Sequence, residues 1–203
     1  MRGRVELFLA SSNPGKVSEF RTLAAKCAPK AGVTIELLAN LDRLPAFEEN
    51  EPTIAENAAG KALHYSRFAS ELVFADDSGL VVPALGGAPG VHSARYAGVG
   101  ASNEERIAKL LRELSGKRGE ERRAYFVCAI ALAREGQPLA VVTDRVDGEI
   151  LETPRGSGGF GYDPVFYFVP QKKTFAEIAG DEKNEVSHRG KAFRKLLAAI
   201  ANS

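Results

Sequence analysis

Val5-Glu6-Leu7-Phe8-Leu9-Ala10-Ser11-Ser12-Asn13-Pro14-Gly15-Lys16 holds a strand, a loop and a helix start, and its reading decides the fold class. Val5 to Ala10 is apolar apart from Glu6, the pattern of a buried strand. Asn13 offers an N-cap side chain, and Pro14 suits the first helical position, where a missing N–H costs nothing. Val17, Phe20, Leu23, Ala24 and Cys27 follow at helical spacing. A strand that runs through a short polar loop into a helix is the opening unit of an α/β domain.

The rest of the chain extends that unit. Val33, Ile35 and Leu37 alternate with polar residues as a second strand does. Leu41 to Pro52 is an acidic loop, and Thr53 with Glu56 forms a capping box that opens a helix to about Ser70. Leu72 to Ala75 is a short buried strand that ends at Asp76-Asp77-Ser78-Gly79. Gly86 to Gly100 is a loop of glycines and small residues, and Ser102 with Glu105 caps a helix to about Leu114. Arg123 to Ala133 and Leu139 to Arg145 read as long strands in a hairpin across Glu135-Gly136-Gln137, with a further strand at Gly148 to Leu151. Gly156 to Asp163 is a glycine loop, and Val165 to Phe168 a strand. Ser187 caps a last helix whose Phe193, Leu196, Leu197 and Ile200 face inward. The order predicts one α/β domain with a mixed sheet.

Composition limits the function. The chain has 203 residues, long enough to bury a core without a disulfide or metal staple. Its 27 Lys and Arg against 26 Asp and Glu give a formal charge of +1, which disfavours a nucleic-acid binder. The longest apolar run, Ala124 to Ala133, is half of the ~20 residues that a bilayer-spanning helix needs. Glu6 breaks any signal-peptide core after Met1-Arg2-Gly3-Arg4, so a cytoplasmic protein is expected. Cys27 and Cys128 form no CxxC pair and read as buried thiols in a reducing compartment.

Familiar nucleotide motifs fail on context. None of the pairs Gly15-Lys16, Gly60-Lys61, Gly116-Lys117 and Gly190-Lys191 is followed by Ser or Thr, so there is no Walker loop. Gly156, Gly158 and Gly161 fit GxGxxG, but an aromatic strand follows where a dinucleotide fold needs a helix. Ser78 lacks the flanking glycines of a nucleophile elbow.

Four polar clusters remain. Ser11-Ser12-Asn13-Pro14-Gly15-Lys16 combines free N–H groups at a helix start with a lysine, either a phosphate cradle or an ordinary capped loop. Asp76-Asp77-Ser78-Gly79 is either a turn or a pair of carboxylates on opposite sides of a strand, one of them a base or metal ligand. A carboxylate of the Glu48-Glu49 loop could complete a Mg²⁺ site, since that ion prefers oxygen ligands. Phe160, held between glycines beside Asp163, offers a flat face to a nucleobase or plugs a core edge. Finally, Glu182-Lys183-Asn184-Glu185-Val186-Ser187-His188-Arg189 puts cations at a helix N-terminus, where the dipole disfavours them and an anionic or electron-rich ligand would explain them.

Taken in order, these segments resemble the inosine/xanthosine triphosphate pyrophosphatase family over Val5 to Leu197. Ala75 to Leu80, Leu85 to Gly90, Ser93 to Tyr96, Gly159 to Pro164 and Glu182 to Gly190 carry the similarity. The resemblance implies a mixed-sheet α/β fold, with helices packed on the sheet and two lobes around a central cleft, and a single catalytic domain over residues 1–203. It implies a homodimer that converts ITP, dITP or XTP to the monophosphate and pyrophosphate with Mg²⁺. On this basis Ser11, Ser12, Asn13, Pro14, Gly15 and Lys16 would hold the triphosphate, with Lys61 a second phosphate-side lysine. Asp77 would be general base and metal ligand, Glu49 a further metal ligand, and Ser78 a substrate contact. Phe160, Gly161, Tyr162, Asp163, Lys183, His188 and Arg189 would form the nucleoside pocket. The partner is then a free purine nucleotide rather than nucleic acid or membrane. A pyrimidine-directed Maf-type pyrophosphatase and a nucleotide sensor without turnover are the competing readings.

Overall fold

The computed structural model describes residues 5–28 and 32–201; Met1-Arg2-Gly3-Arg4, read above for a leader, lies outside them. The expected first strand and helix are β1 (Val5–Leu9) and α1 (Pro14–Cys27). The Asn13 side chain accepts from Lys16 N at 3.1 Å and Pro14 occupies the first turn, so the local signal at the helix start works as read. β2 (Val33–Leu37) follows, then α2 (Ile54–Tyr65), which ends about five residues early in a 3₁₀ turn over Ser66–Phe68. Next come β3 (Leu72–Val81), α3 (Asn103–Glu113), β4 (Arg123–Arg134) and β5 (Gln137–Ile150). β6 (Phe166–Phe168), β7 (Lys173–Thr174), α4 (Gly180–Val186) and α5 (His188–Ala201) complete the chain.

The strands form one mixed sheet of seven, in the order β2-β1-β3-β4-β5-β6-β7. β1 runs parallel to β2 and β3, while β6 runs antiparallel to both β5 and β7. The β4–β5 hairpin turns on two residues, Glu135 at φ +49° and Gly136 at φ +76°. Left-handed backbone at both positions matches the right-handed twist of the flanking strands.

Two sequence expectations are corrected. β3 does not stop at Ala75 but continues through Asp76-Asp77-Ser78-Gly79, so both aspartates sit in mid-strand rather than in a turn. β5 is one strand of 14 residues where two were expected. Gly148, expected to open a further strand, is needed inside this one: a Cβ there would come within 2.6 Å of the Tyr167 carbonyl oxygen on β6. The last helix, α5, begins after Ser187 as expected; a further short helix, α4, precedes it, with Ser187 extended (φ −68°, ψ 156°) between the two.

Residues group into two compact units, each with its own core. The first takes in Met1–Asp77, Cys128–Asp144 and Arg189–Ser203; the second takes in Ser78–Val127 and Arg145–His188. In the first, Phe20 of α1 packs edge-on against Phe74 of β3 at 5.3 Å and Phe193 of α5 at 5.7 Å. Leu7, Leu9, Cys128, Ile130, Leu196 and Leu197 close around them. In the second, Ile107 and Leu110 of α3 bury against Leu80, Phe126, Val146 and Ile150. Removing a ring such as Phe20 from this packing costs about 3–5 kcal/mol.

Candidate active site

The first unit gathers a cluster of cations and carboxylates around Asp76. The loop Ser11-Ser12-Asn13 joins β1 to α1, with Ser11 Oγ accepting from Asn13 N at 3.4 Å. Lys16, one turn into α1, reaches Asp76 with its ammonium 3.2 Å from Oδ2 and 3.4 Å from the carbonyl oxygen. Lys61 of α2 donates to the same carbonyl at 3.2 Å and pairs with Glu49. Arg189 of α5 places Nε 3.3 Å from Asp76 Oδ2 and gives Nη1 to Glu19 of α1. The Asp76 side chain is fully buried. Burial pushes its pKa up, but Lys16, Arg189 and Lys61 outweigh burial and hold it below the ordinary carboxylate value.

Asp77 has the opposite balance. Burial pushes its carboxyl up, Glu49 and Asp76 add to the rise, and Lys16 and Lys61 offset it in part, leaving a pKa of about 6. Successive strand residues face opposite sides, so the two aspartates meet different surroundings and titrate over different pH ranges. One is a fixed anion and the other a base poised near neutral pH. Burial tends to lower the Lys61 pKa, yet Glu49 and Asp76 raise it, so its ammonium is retained. Cys128 lies 4.0 Å from Asp76 Oδ2, and burial pushes its thiol well up, as the inert-thiol reading requires.

The second unit holds a separate cluster on the glycine loop. Asp163, buried, accepts from Phe160 N at 2.8 Å and from Lys183 Nζ at 2.5 Å. The Lys183 ammonium stands 5.2 Å from the Phe160 ring centroid and 5.5 Å from that of Phe175. Such cation–ring contacts gain most where water is excluded. Gly159 (φ +71°) allows this curl, since a Cβ would overlap Asp163 Oδ2 at 2.1 Å. Tyr162 donates its hydroxyl to the Ser93 carbonyl at 2.9 Å, and Gly161 adjoins it at φ +62°. His188 lies nearly parallel to Phe126, centroids 4.8 Å apart. Ser78 follows Asp77 in β3 and is half-buried.

Most of the expected residues thus fall into two groups. Lys16, Glu49, Lys61 and Asp77 share the first, and Phe160, Asp163 and Lys183 share the second. Arg189, expected in the nucleoside set, lies in the first group with Nε and Nη1 directed at the protein's own carboxylates. Lys183 does not stand at a helix N-terminus: it lies in the last turn of α4, where the helix dipole favours a cation. Asp76 as the centre of the cations, Glu19 on Arg189, and Phe126 under His188 were missed. Asp76 and Arg189 are 113 residues apart, and no local pattern announces such a pair.

Glu49 and Asp77 carry the oxygen donors that a hard divalent ion takes. Among the described residues no group of three or more His, Cys, Asp and Glu is gathered as a ligand set. The charge of Glu49 is felt at Asp77, and carboxylate oxygens are the donor type of Mg²⁺, which keeps several waters and takes further oxygens from substrate phosphates.

The chain is similar to known proteins over nearly its whole length. The family model of the Ham1 family matches residues 7–199. A dITP/XTP pyrophosphatase of Geobacillus kaustophilus (strain HTA426) is 53% identical over 191 residues, covering 94% of this chain and 92% of that protein. The dITP/XTP pyrophosphatase of Bacillus subtilis (strain 168) is 44% identical, with 94% of each chain covered. A HAM1 protein from Coxiella burnetii superposes with a TM-score of 0.85 at 39% identity, over 98% of this chain and 100% of the other. The Staphylococcus aureus Ham1 protein gives 0.84 at 37%, over 97% and 98%. With the match spanning nearly every residue from β1 to α5, the chain belongs to the Ham1 family.

Proposed function

We propose that this protein is a nucleoside triphosphate pyrophosphatase that converts non-standard purine nucleotides (dITP, ITP, XTP) to the monophosphate and pyrophosphate. Its relatives named dITP/XTP pyrophosphatase support the substrate class. The observation that carries the chemistry is Asp77, its pKa pushed up to about 6 beside Lys16 and Lys61. Hydrolysis at the α-phosphorus needs a base for the attacking water and cations for the departing pyrophosphate. Asp77 takes the proton, and Lys16 and Lys61 take up the developing charge. The N–H groups and small residues of Ser11 to Gly15 bind the phosphates at the start of α1. Glu49 and Asp77 would hold Mg²⁺, which when bound neutralises phosphate charge and activates a water.

The nucleoside end falls to Phe160, Gly161, Tyr162, Asp163, Lys183 and His188. Phe160 offers a ring for stacking, and Lys183, fixed by Asp163, is a donor suited to the 6-keto oxygen of hypoxanthine or xanthine. Adenine presents a 6-amino donor instead, and a mismatch of this kind costs about 1–3 kcal/mol per group. We read both units as parts of one catalytic domain, working as a homodimer on the cytoplasmic nucleotide pool. No described helix is long and apolar enough to cross a membrane.

The test is a product analysis with dITP, ITP, XTP, ATP, GTP, TTP and UTP in Mg²⁺ buffer. The expected result is monophosphate and pyrophosphate, with the deaminated purines preferred. Diphosphate with orthophosphate, a pyrimidine preference, or no turnover at all would refute the proposal.

A further inference from the structure

Asp76 takes no part in the chemistry above, yet its side chain is fully buried beside the base. Taking a carboxylate out of water costs several kcal/mol unless cations meet it in good geometry. Here residue 76 meets three, from three helices. Its Oδ2 receives Lys16 of α1 at 3.2 Å and Arg189 of α5 at 3.3 Å. Its carbonyl oxygen receives Lys61 of α2 at 3.2 Å and Lys16 again at 3.4 Å. Lys16 is therefore held at two atoms of one residue, and Lys61 at one of the same two. Arg189 is itself pinned by Glu19, so the carboxylate oxygen that meets Lys16 is also held from a second helix.

A lysine has a flexible four-carbon stem and one point charge, and it fixes nothing unless something fixes it. We propose that Asp76 is a positioning residue that acts through Lys16. Its carboxylate, clamped by Arg189, holds the Lys16 ammonium where charge develops on the departing pyrophosphate. The proposal rests on the pyrophosphatase reading and adds to it a division of labour between adjacent aspartates. Asp77 handles the proton, and Asp76 sets the cation.

The two effects of Asp76 on a nucleotide have opposite signs, which makes its role measurable. As an anion near the phosphates it weakens ground-state binding; as an anchor for Lys16 it speeds the chemical step. Asp76→Asn keeps the shape and removes the charge, so kcat falls by about 10- to 100-fold, the size of loss that a displacement near 1 Å brings. KM stays level or drops. A residue that merely maintained the fold would raise KM as kcat fell. In a double-mutant cycle, Lys16→Ala combined with Asp76→Asn is no slower than Lys16→Ala alone, because the anchor has nothing left to hold. Asp76→Glu keeps the charge but moves it by one methylene, so it loses kcat without the drop in KM, and it replaces the Asn variant in the cycle should that variant not fold.

The assay is dITP hydrolysis read as pyrophosphate release. Additive losses in the cycle, or a KM that rises with the fall in kcat, overturn the role of Asp76 while wild-type turnover stands. A wild-type protein that releases no pyrophosphate overturns the pyrophosphatase reading beneath it.

Discussion

Replacing Asp77 by Asn should abolish turnover and at the same time stabilise the fold. The carboxyl titrates at about 6 against an ordinary value of 3.8, because burial and the charges of Glu49 and Asp76 disfavour its ionised form. A folded-state pKa above the unfolded one means that the native protein binds this proton more tightly. Ionising Asp77 therefore costs nothing below about pH 4, where both states hold the proton, and its full amount above about pH 6. At 1.36 kcal/mol per pH unit the full amount is about 3 kcal/mol. Asn cannot ionise, so the variant escapes the cost. Urea or thermal unfolding of both proteins in EDTA should show the variant more stable by roughly 2–3 kcal/mol at pH 8 and equal to wild type at pH 4. For a chain of this size that gain at pH 8 is about 5–10 °C in Tm. Mg²⁺ should restore much of the difference in the wild type and do little for the variant. A variant no more stable than wild type at pH 8, or stabilised equally at both pH values, would show that Asp77 is not a destabilised base.

Other perturbations test the remaining parts of the site. Lys61→Met removes a cation that holds the Asp77 pKa down, so the acid limb of the kcat profile should move above about pH 6; an unmoved limb would detach Lys61 from the base. Phe160→Ala should raise KM by about 10-fold for every purine triphosphate with kcat little changed, as loss of base stacking worth about 1–3 kcal/mol requires. If KM stays level, the ring serves the core rather than the substrate. Gly159→Ala imposes a side chain at φ +71° and drives its Cβ into Asp163 Oδ2, which must leave Lys183. Chemical denaturation should show a loss of about 2–3 kcal/mol, and stability within about 0.5 kcal/mol of wild type would contradict the geometry.

What was legible in the sequence was local. Asn13-Pro14 and the pair Ser102 with Glu105 announce their helices, because the capping partners lie three residues apart. The apolar alternation of Val33 to Leu37 and the run after Arg123 announce strands. Asp-Asp-Ser-Gly at 76–79 leaves a turn and a strand open, since those residue types favour turns while tertiary burial keeps them in β3. Gly79 is tolerated in mid-strand because the Gly90 carbonyl oxygen passes within 2.3 Å of where a Cβ would stand. The misplaced cation of the last helix was a true signal with the wrong addressee. Arg189 at the start of α5 does require negative charge, and Glu19 and Asp76 supply it from far along the chain.

That substitution of protein carboxylates for a ligand changes how a near-neutral chain can bind a triphosphate. A formal charge of +1 gives the sum of the charges and not their distribution. In the first unit, Lys16, Lys61 and Arg189 do lie together, but Glu19, Glu49, Asp76 and Asp77 lie with them. Each of the three cations is engaged by a carboxylate of the cluster. A triphosphate that entered this cluster alone would meet carboxylates as well as lysines, and its extra negative charge would push the Asp77 pKa further up and disable the base. A divalent ion carried in with the phosphates would cancel that repulsion and, by its own charge, return Asp77 to the ionised form at neutral pH. On the proposed mechanism this balance of charge calls for a metal at Glu49 and Asp77 rather than beside Asp76, whose carboxylate is already held by Lys16 and Arg189.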